Sequence, residues 1–145
     1  MWKQQAFNEL SIHELYSYLQ LRVNVFIVEQ NCPYPELDGY DEESYHLAFV
    51  ENNEPLAYAR ILPSGLKYSR ISIGRVIVKK EARGKGLAKE LMNECLQFIE
   101  KKWPKQEIQL QAQAHLAHFY GSFGFTAISD EYLEDNIPHV DMVKY

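Results

Sequence analysis

Apolar positions along the chain change period several times, and each change marks an element. Ser11-Ile12-His13-Glu14 has the Ser-x-x-Glu form that satisfies the first free amides of a helix, and Leu15, Leu19, Val23 and Phe26 follow at spacings of three and four. A helix is expected there, with that stripe facing a sheet. Asn31 to Asp41 breaks the period with two prolines and a glycine, and reads as a long loop of the kind that serves ligands in compact domains. His46 to Val50 and Leu56 to Leu62 then read as two strands joined by the short hairpin connection Glu51-Asn52-Asn53-Glu54-Pro55.

Ile71 to Val78 is a third strand, and its near-continuous end Val76-Ile77-Val78 suits a strand covered on both faces, hence a central one. After Arg83-Gly84-Lys85-Gly86, the residues Leu87, Leu91, Cys95, Phe98 and Ile99 make one apolar helical face that stops before Trp103-Pro104. Glu107 to Gln113 alternates Ile108, Leu110 and Ala112 with Gln109, Gln111 and Gln113, a strand with one apolar and one amide face. A short helix from about Leu116 to Phe123 ends at Gly124, a left-handed cap. The tail from Phe125 to Tyr145 offers two strand-like pieces around Glu134-Asp135-Asn136-Ile137-Pro138. Neither an internal repeat nor a linker interrupts this order, so residues 1–145 are read as one domain.

Composition narrows the function classes. The 145 residues are 46% hydrophobic and 24% charged, within the range of soluble globular proteins. The amino terminus has no basic patch leading into an apolar run, and no stretch approaches the roughly 18 apolar residues of a membrane span. A cytoplasmic protein without a membrane partner is expected. Cys32 and Cys95 stand far apart in no metal-type spacing, which argues against a structural disulfide. Twenty acids against fifteen bases leave a net charge of −5, unfavourable for nucleic acid. Positive charge is nevertheless gathered locally, at Lys79, Lys80, Arg83, Lys85 and Lys89. An anion site is the natural reading.

A strand that feeds a glycine loop and then a helix presents free backbone amides and the positive end of a helix dipole at one point, a ready site for phosphate. Arg83 and Lys85 add side-chain charge, and an arginine can hold phosphate oxygens through two parallel hydrogen bonds. A Walker loop needs G-x-x-x-x-G-K-[ST], which nothing here fits. A Rossmann fingerprint would put a small residue where Lys89 stands, in a chain too short for that fold. The lysines alone would suit the solvated start of an amphipathic helix, but two glycines in the opening turn cost stability unless the backbone needs them.

What the segment does fit is R-x-x-G-x-A, as Arg83-Gly84-Lys85-Gly86-Leu87-Ala88, directly after an apolar strand. It resembles the coenzyme A diphosphate loop of the GCN5-related N-acetyltransferase (GNAT) superfamily. Tyr120-Gly121-Ser122-Phe123-Gly124-Phe125, downstream of the Gln-rich strand, is similar to that superfamily's Y-x-x-x-G-F signature. Leu21 to Tyr34, Glu36-Leu37-Asp38-Gly39, Ile73-Gly74-Arg75-Val76 and Ile137-Pro138-His139 resemble its ElaA-like branch, so the likeness spans essentially the whole chain.

The resemblance implies an α/β (α+β) fold: a mixed, mostly antiparallel sheet of six to seven strands flanked by helices, with splayed central strands. It implies acetyl-CoA as cosubstrate, its pantetheine arm lying in the splay against the backbone of Val76, Ile77 and Val78, its diphosphate on Arg83, Gly84, Lys85, Gly86, Leu87 and Ala88. Superfamily members often place an asparagine before the last helix for this arm, and here Gln113 or His115 stands in that region. The amine of a small acceptor attacks the thioester directly, and Tyr120 protonates the departing thiolate. A phenol with pKa near 10 suits that task.

A lysine-like amine costs about 4–5 kcal/mol to deprotonate at pH 7. Glu29, Asp38, His46 and His139 are candidates as base, water-holder or acceptor anchor, Glu29 first. Arg22, Arg60 and Arg75 either bind an acidic group of the acceptor or pair with the protein's own carboxylates. His115 and His118 lack the further ligands a zinc site wants, so no metal is expected. Superfamily relatives frequently dimerise, which leaves a homodimer as an expectation. A non-catalytic coenzyme A sensor on the same fold is the alternative function.

Overall fold

The structure, a computed structural model, describes all of residues 1–145. Eight strands make one open sheet: β1 (Trp2–Ala6), β2 (Tyr45–Glu51), β3 (Glu54–Leu62), β4 (Ile71–Val78), β5 (Ile108–Gln113), β6 (Thr126–Ala127), β7 (Tyr132–Glu134) and β8 (Ile137–Lys144). Their spatial order is β1-β2-β3-β4-β5-β8-β6, with β7 also paired to β8. Every pairing is antiparallel except β4 with β5. That single parallel pair is joined by the helix α2 (Leu87–Lys102), the crossover a parallel connection requires. Two further helices, α1 (Ile12–Val23) and α3 (Ala117–Gly121), complete the set. The count exceeds seven because β6 and β7 are only two and three residues long.

Asn52 and Asn53 close β2 onto β3, both with positive φ, the conformation a two-residue hairpin turn demands. Asp135 and Asn136 close β7 onto β8 in the same way. β1 was not evident from its sequence. Trp-Lys-Gln-Gln-Ala lies along one edge of the sheet, where the outer face stays wet and alternation fades.

The main core lies between the sheet and α2, whose buried Leu87, Leu91, Met92, Cys95 and Ile99 face Leu47, Ile61, Ile73 and Leu110. This is the stripe expected for α2, with Met92 added and Phe98 packed half-buried against Tyr45 and Trp103. A smaller cluster lies under α1, where Tyr18, Leu21 and Val25 meet Ala48, Tyr58 and Ile77. Here the expected stripe is corrected. Leu15, Leu19 and Val23 are only half-buried, and the face turned inward carries Tyr18, Leu21 and the fully buried Arg22. Arg22 was invisible to a hydrophobic count because its burial depends on carboxylates supplied from elsewhere in the chain.

Two irregularities position the site. After Val23 the helix widens into a π-type turn over Asn24–Glu29, a feature often found beside functional sites. In β4, Arg75 adopts φ +52 and the register against β3 slips between Tyr58 and Arg60, a bulge that twists the strand. Consistent with that twist, β4 pairs with β5 only from Ile71 to Ile73, opposite Ile108 to Leu110. Beyond Ile73 the two strands splay, and the β5-facing edge of β4 has no strand partner.

Candidate active site

A cavity of about 870 Å³ fills the splay. Val76, Ile77 and Val78 line one wall, Gln111 and Gln113 the other, and Tyr120 and His115 close the β5 side. The π-type turn contributes Phe26 and Glu29, the long loop Tyr34, Glu36 and Asp38, and the β7–β8 turn Glu134 and Asp135.

At one end stands the glycine loop. Gly84 and Gly86 have φ of +81 and +79, a left-handed backbone that costs a side-chain-bearing residue about 1–2 kcal/mol. Gly86 is the N-cap of α2 and no side chain caps it. None of the amides from Gly84 to Lys89 donates to a backbone carbonyl; the loop's own bonds end with Arg83 N–H to Lys80 O. Their direction along the dipole of a sixteen-residue helix makes an anion the matching partner. Gly84, Gly86, Leu87 and Ala88 line the cavity, whereas Lys85 is exposed and lies outside its wall.

Arg83 bridges this end to the π-type turn. Its Nε donates to the Val78 carbonyl at 2.9 Å, and its two terminal nitrogens donate to the Glu29 carboxylate at 2.6 and 3.0 Å. That hydrogen bonding, more than the opposing desolvation, holds the Glu29 carboxyl below its ordinary pKa.

At the other end the loop from Asn31 to Asp41 is fastened by arginines. Arg22 donates to Glu36 and Asp41, Arg60 to Asp38 and Asp41, and Arg75 to Glu36 and Asp38. Three guanidiniums thus share three carboxylates, with Arg22 and Arg60 almost fully buried. Burial would raise the Asp38 and Asp41 carboxyls, but hydrogen bonds and charge from the arginines outweigh it and hold both below the usual carboxylate range.

Of the residues expected to meet the acceptor, Asp38, Arg75 and His139 line the cavity, but Arg22 and His46 do not. Arg22 is spent on the carboxylate lattice. His46 is buried behind it, with Nδ1 2.6 Å from the Tyr58 hydroxyl and Nε2 2.9 Å from the Asp41 carbonyl. Burial lowers its pKa, so it is neutral, with Nε2–H donating to the carbonyl and Nδ1 accepting from the tyrosine.

Tyr120 is 7% exposed, packed edge-on against Phe119 and Phe125. Burial pushes its phenol up to about 12. His139 sits opposite Gln113 in the β5–β8 register and stacks on Tyr132. Its Nδ1 lies 2.7 Å from the Ile137 carbonyl, which makes Nδ1 the protonated nitrogen and leaves the lone pair on Nε2. Gln113 is bonded to Gln30 across the splay. Cys32 donates to the Asp135 carbonyl, and Cys95 is buried in the α2 core. No group of three His, Cys, Asp or Glu side chains is arranged to hold a metal ion, and no helix is long and apolar enough to cross a membrane.

Two cavity residues carried no sequence signal. Lys67 and Tyr68 belong to the β3–β4 connection, which has neither periodicity nor a motif, and only the fold brings them to the wall.

Comparison with known proteins places this geometry. Residues 13–145 match the acetyltransferase (GNAT) domain family. The chain is 44% identical to protein ElaA of Escherichia coli strain K12 over 145 residues, covering 99% of this chain and 95% of that one. A solved acyl-CoA N-acyltransferase from Pseudomonas aeruginosa superposes with a TM-score of 0.96 at 42% identity, covering 100% and 99% of the two chains. The crystal structure of Escherichia coli ElaA gives 0.94 at 43%, with the same coverage.

Proposed function

Because this chain belongs to the GNAT acetyltransferase family, whose fold serves acyl-CoA-dependent N-acyl transfer, we propose that it moves the acetyl group of acetyl-CoA onto the amine of a small acceptor held in the same cavity. The observation that carries the reading is the row of unsatisfied amides from Gly84 to Lys89 at the mouth of the splayed β4–β5 cleft. An anion is what such a row lacks, and a cleft of about 870 Å³ beside an unpaired strand edge suits a long arm that itself carries amides.

Acetyl-CoA supplies an activated thioester, and the protein's part is to hold, orient and move protons. The amides of Gly84, Gly86 and Ala88 bind the diphosphate, with Arg83 turning one or both of its terminal nitrogens from Glu29 to phosphate oxygen. The edge of β4 at Val76 and Val78, which has no strand partner and gives up only the Val78 carbonyl to Arg83, receives the arm. Tyr120 holds a proton at its hydroxyl for the departing sulfur, and with its pKa near 12 it stays protonated and neutral throughout the physiological range.

The amine's proton needs an acceptor. Glu29, first among the expected bases, is engaged by Arg83 on both oxygens, and its lowered proton affinity makes it a poor one. The proposal therefore gives Glu29 the task of presenting Arg83 beside the loop, and assigns the proton to Nε2 of His139, directly or through one water. Proximity within one cleft supports direct attack in a ternary complex.

A coenzyme A-release assay across a panel of amines tests the proposal. Release that depends on an amine supports it. Tight binding of acetyl-CoA with no release on any amine would instead return the sensor reading.

A further inference from the structure

Four cations line the cavity: Arg60, Lys67, Arg75 and Arg83. Arg60 and Arg75 are matched by Asp38, Asp41 and Glu36, and Arg83 by Glu29. Lys67 alone among them has no carboxylate partner. Its ammonium lies 5.8 Å from the ring centroid of Tyr40 and 5.4 Å from that of Tyr68, contacts that orient a cation without neutralising it. Burial and the charge of Arg75 lower its proton affinity, against the weaker pull of Asp38 and Glu134. Lys67 is itself exposed, so its ammonium is open to a ligand, and with the like charge of Arg75 nearby and no carboxylate in contact an anion is its natural partner.

The β7–β8 turn contributes Glu134 and Asp135 to the same cavity, and neither makes an ion pair within the protein. An unmatched cation and two unmatched carboxylates at the acceptor end suit a ligand that carries both signs of charge. An amine that is still protonated on arrival supplies the positive one.

We propose that Lys67 selects acceptors bearing a carboxylate beside the amine, so that the acceptor class is amino acids and amino-acid-like amines rather than polyamines or neutral amines. This rests on the acetyltransfer reading for the reaction, and on the unmatched ammonium for the selection. Arg22 and Arg60 are buried among carboxylates of the chain, and Arg75 holds Glu36 and Asp38, which leaves Lys67 as the cavity cation with no carboxylate in contact.

The test compares glycine, β-alanine, γ-aminobutyrate and glutamate with their matched carboxamides, using the wild-type chain and Lys67→Met, which keeps an apolar stem on an exposed loop. At least one carboxylate acceptor is expected to exceed its amide about tenfold in kcat/KM, the weight of one charge-assisted hydrogen bond. Lys67→Met should remove that preference through KM, bringing acid and amide to about the same kcat/KM, and Lys67→Arg should retain much of it. A preference absent from the wild type, or untouched by Lys67→Met, overturns the proposal.

Calorimetric titration of the corresponding N-acetyl acids and N-acetyl amides into the coenzyme A complex gives a second readout that needs no turnover. Tighter binding of the acids, lost in Lys67→Met, supports the selection even if no amine is acetylated, in which case only the acetyltransfer reading fails. Equal binding of acid and amide, or binding of neither, overturns the selection while leaving acetyltransfer to stand or fall on the release assay.

Discussion

The two ends of the cavity handle positive charge in opposite ways. At the proposed acceptor end, Arg22, Arg60 and Arg75 sit among Glu36, Asp38 and Asp41, largely out of water, and each is paired with two of these carboxylates. At the coenzyme end, the amides from Gly84 to Lys89 are left open, and the one arginine there is an exposed residue paired across a cleft. Arginine serves as a structural clamp in the first place, and in the proposed reading as a ligand contact in the second. What separates them is burial. A buried guanidinium without partners is too costly to keep, so its carboxylates must come from the same chain. An amide row at an exposed helix start can wait for its ligand because water satisfies it meanwhile.

The sharpest way to break this contrast is through the residue between the two ends. Tyr120→Phe removes a proton donor without removing packing, and turnover should fall by about a hundredfold or more. Acetyl-CoA affinity, read by calorimetry, should barely change. Equal losses in both would mean that Tyr120 only supports the cleft.

Next in size is the lattice. Arg22→Met or Arg60→Met leaves buried carboxylates short of a partner and should cost on the order of 3 kcal/mol in denaturant unfolding. Arg83→Met breaks an exposed pair and should cost less than about 1 kcal/mol. The order reverses for ligand: Arg83→Met should weaken acetyl-CoA binding about tenfold, with the melting temperature nearly unmoved.

A smaller effect is the lattice's pH dependence. The Asp38 and Asp41 carboxyls are lowered in the folded protein, so their contribution is fully present above the unfolded value of about 3.9 and is lost as pH falls below it. Arg60→Met should move the acid unfolding transition to higher pH. The smallest expectation is an absence of change: with Tyr120 near 12, the rate should show no basic limb from that group between pH 7 and about 10.

The same contrast explains what was legible in the sequence. The glycine loop is contiguous, and strand, glycines, arginine and helix stripe stand in one run from Ile71 to Ile99, so local rules sufficed to find that strand, turn and helix. The lattice is assembled across distance: Arg75 meets Glu36 from 39 positions away, and Arg22 meets Asp41 from 19. No period or motif links such partners. The inward face of α1 was misjudged for the same reason, since Arg22 counts as polar until its carboxylates are known. β1 escaped because an edge strand needs no clear alternation, and the Arg75 bulge because positive φ at an arginine has no signature in composition.

The account turns on the diphosphate. A crystal structure of the complex with coenzyme A measures it directly: phosphate oxygens should lie about 2.7–3.2 Å from the amides of Gly84, Gly86 and Ala88, with Arg83 drawn toward them. A complex in which the diphosphate lies elsewhere, with those amides facing only water and Arg83 still on Glu29, would contradict it.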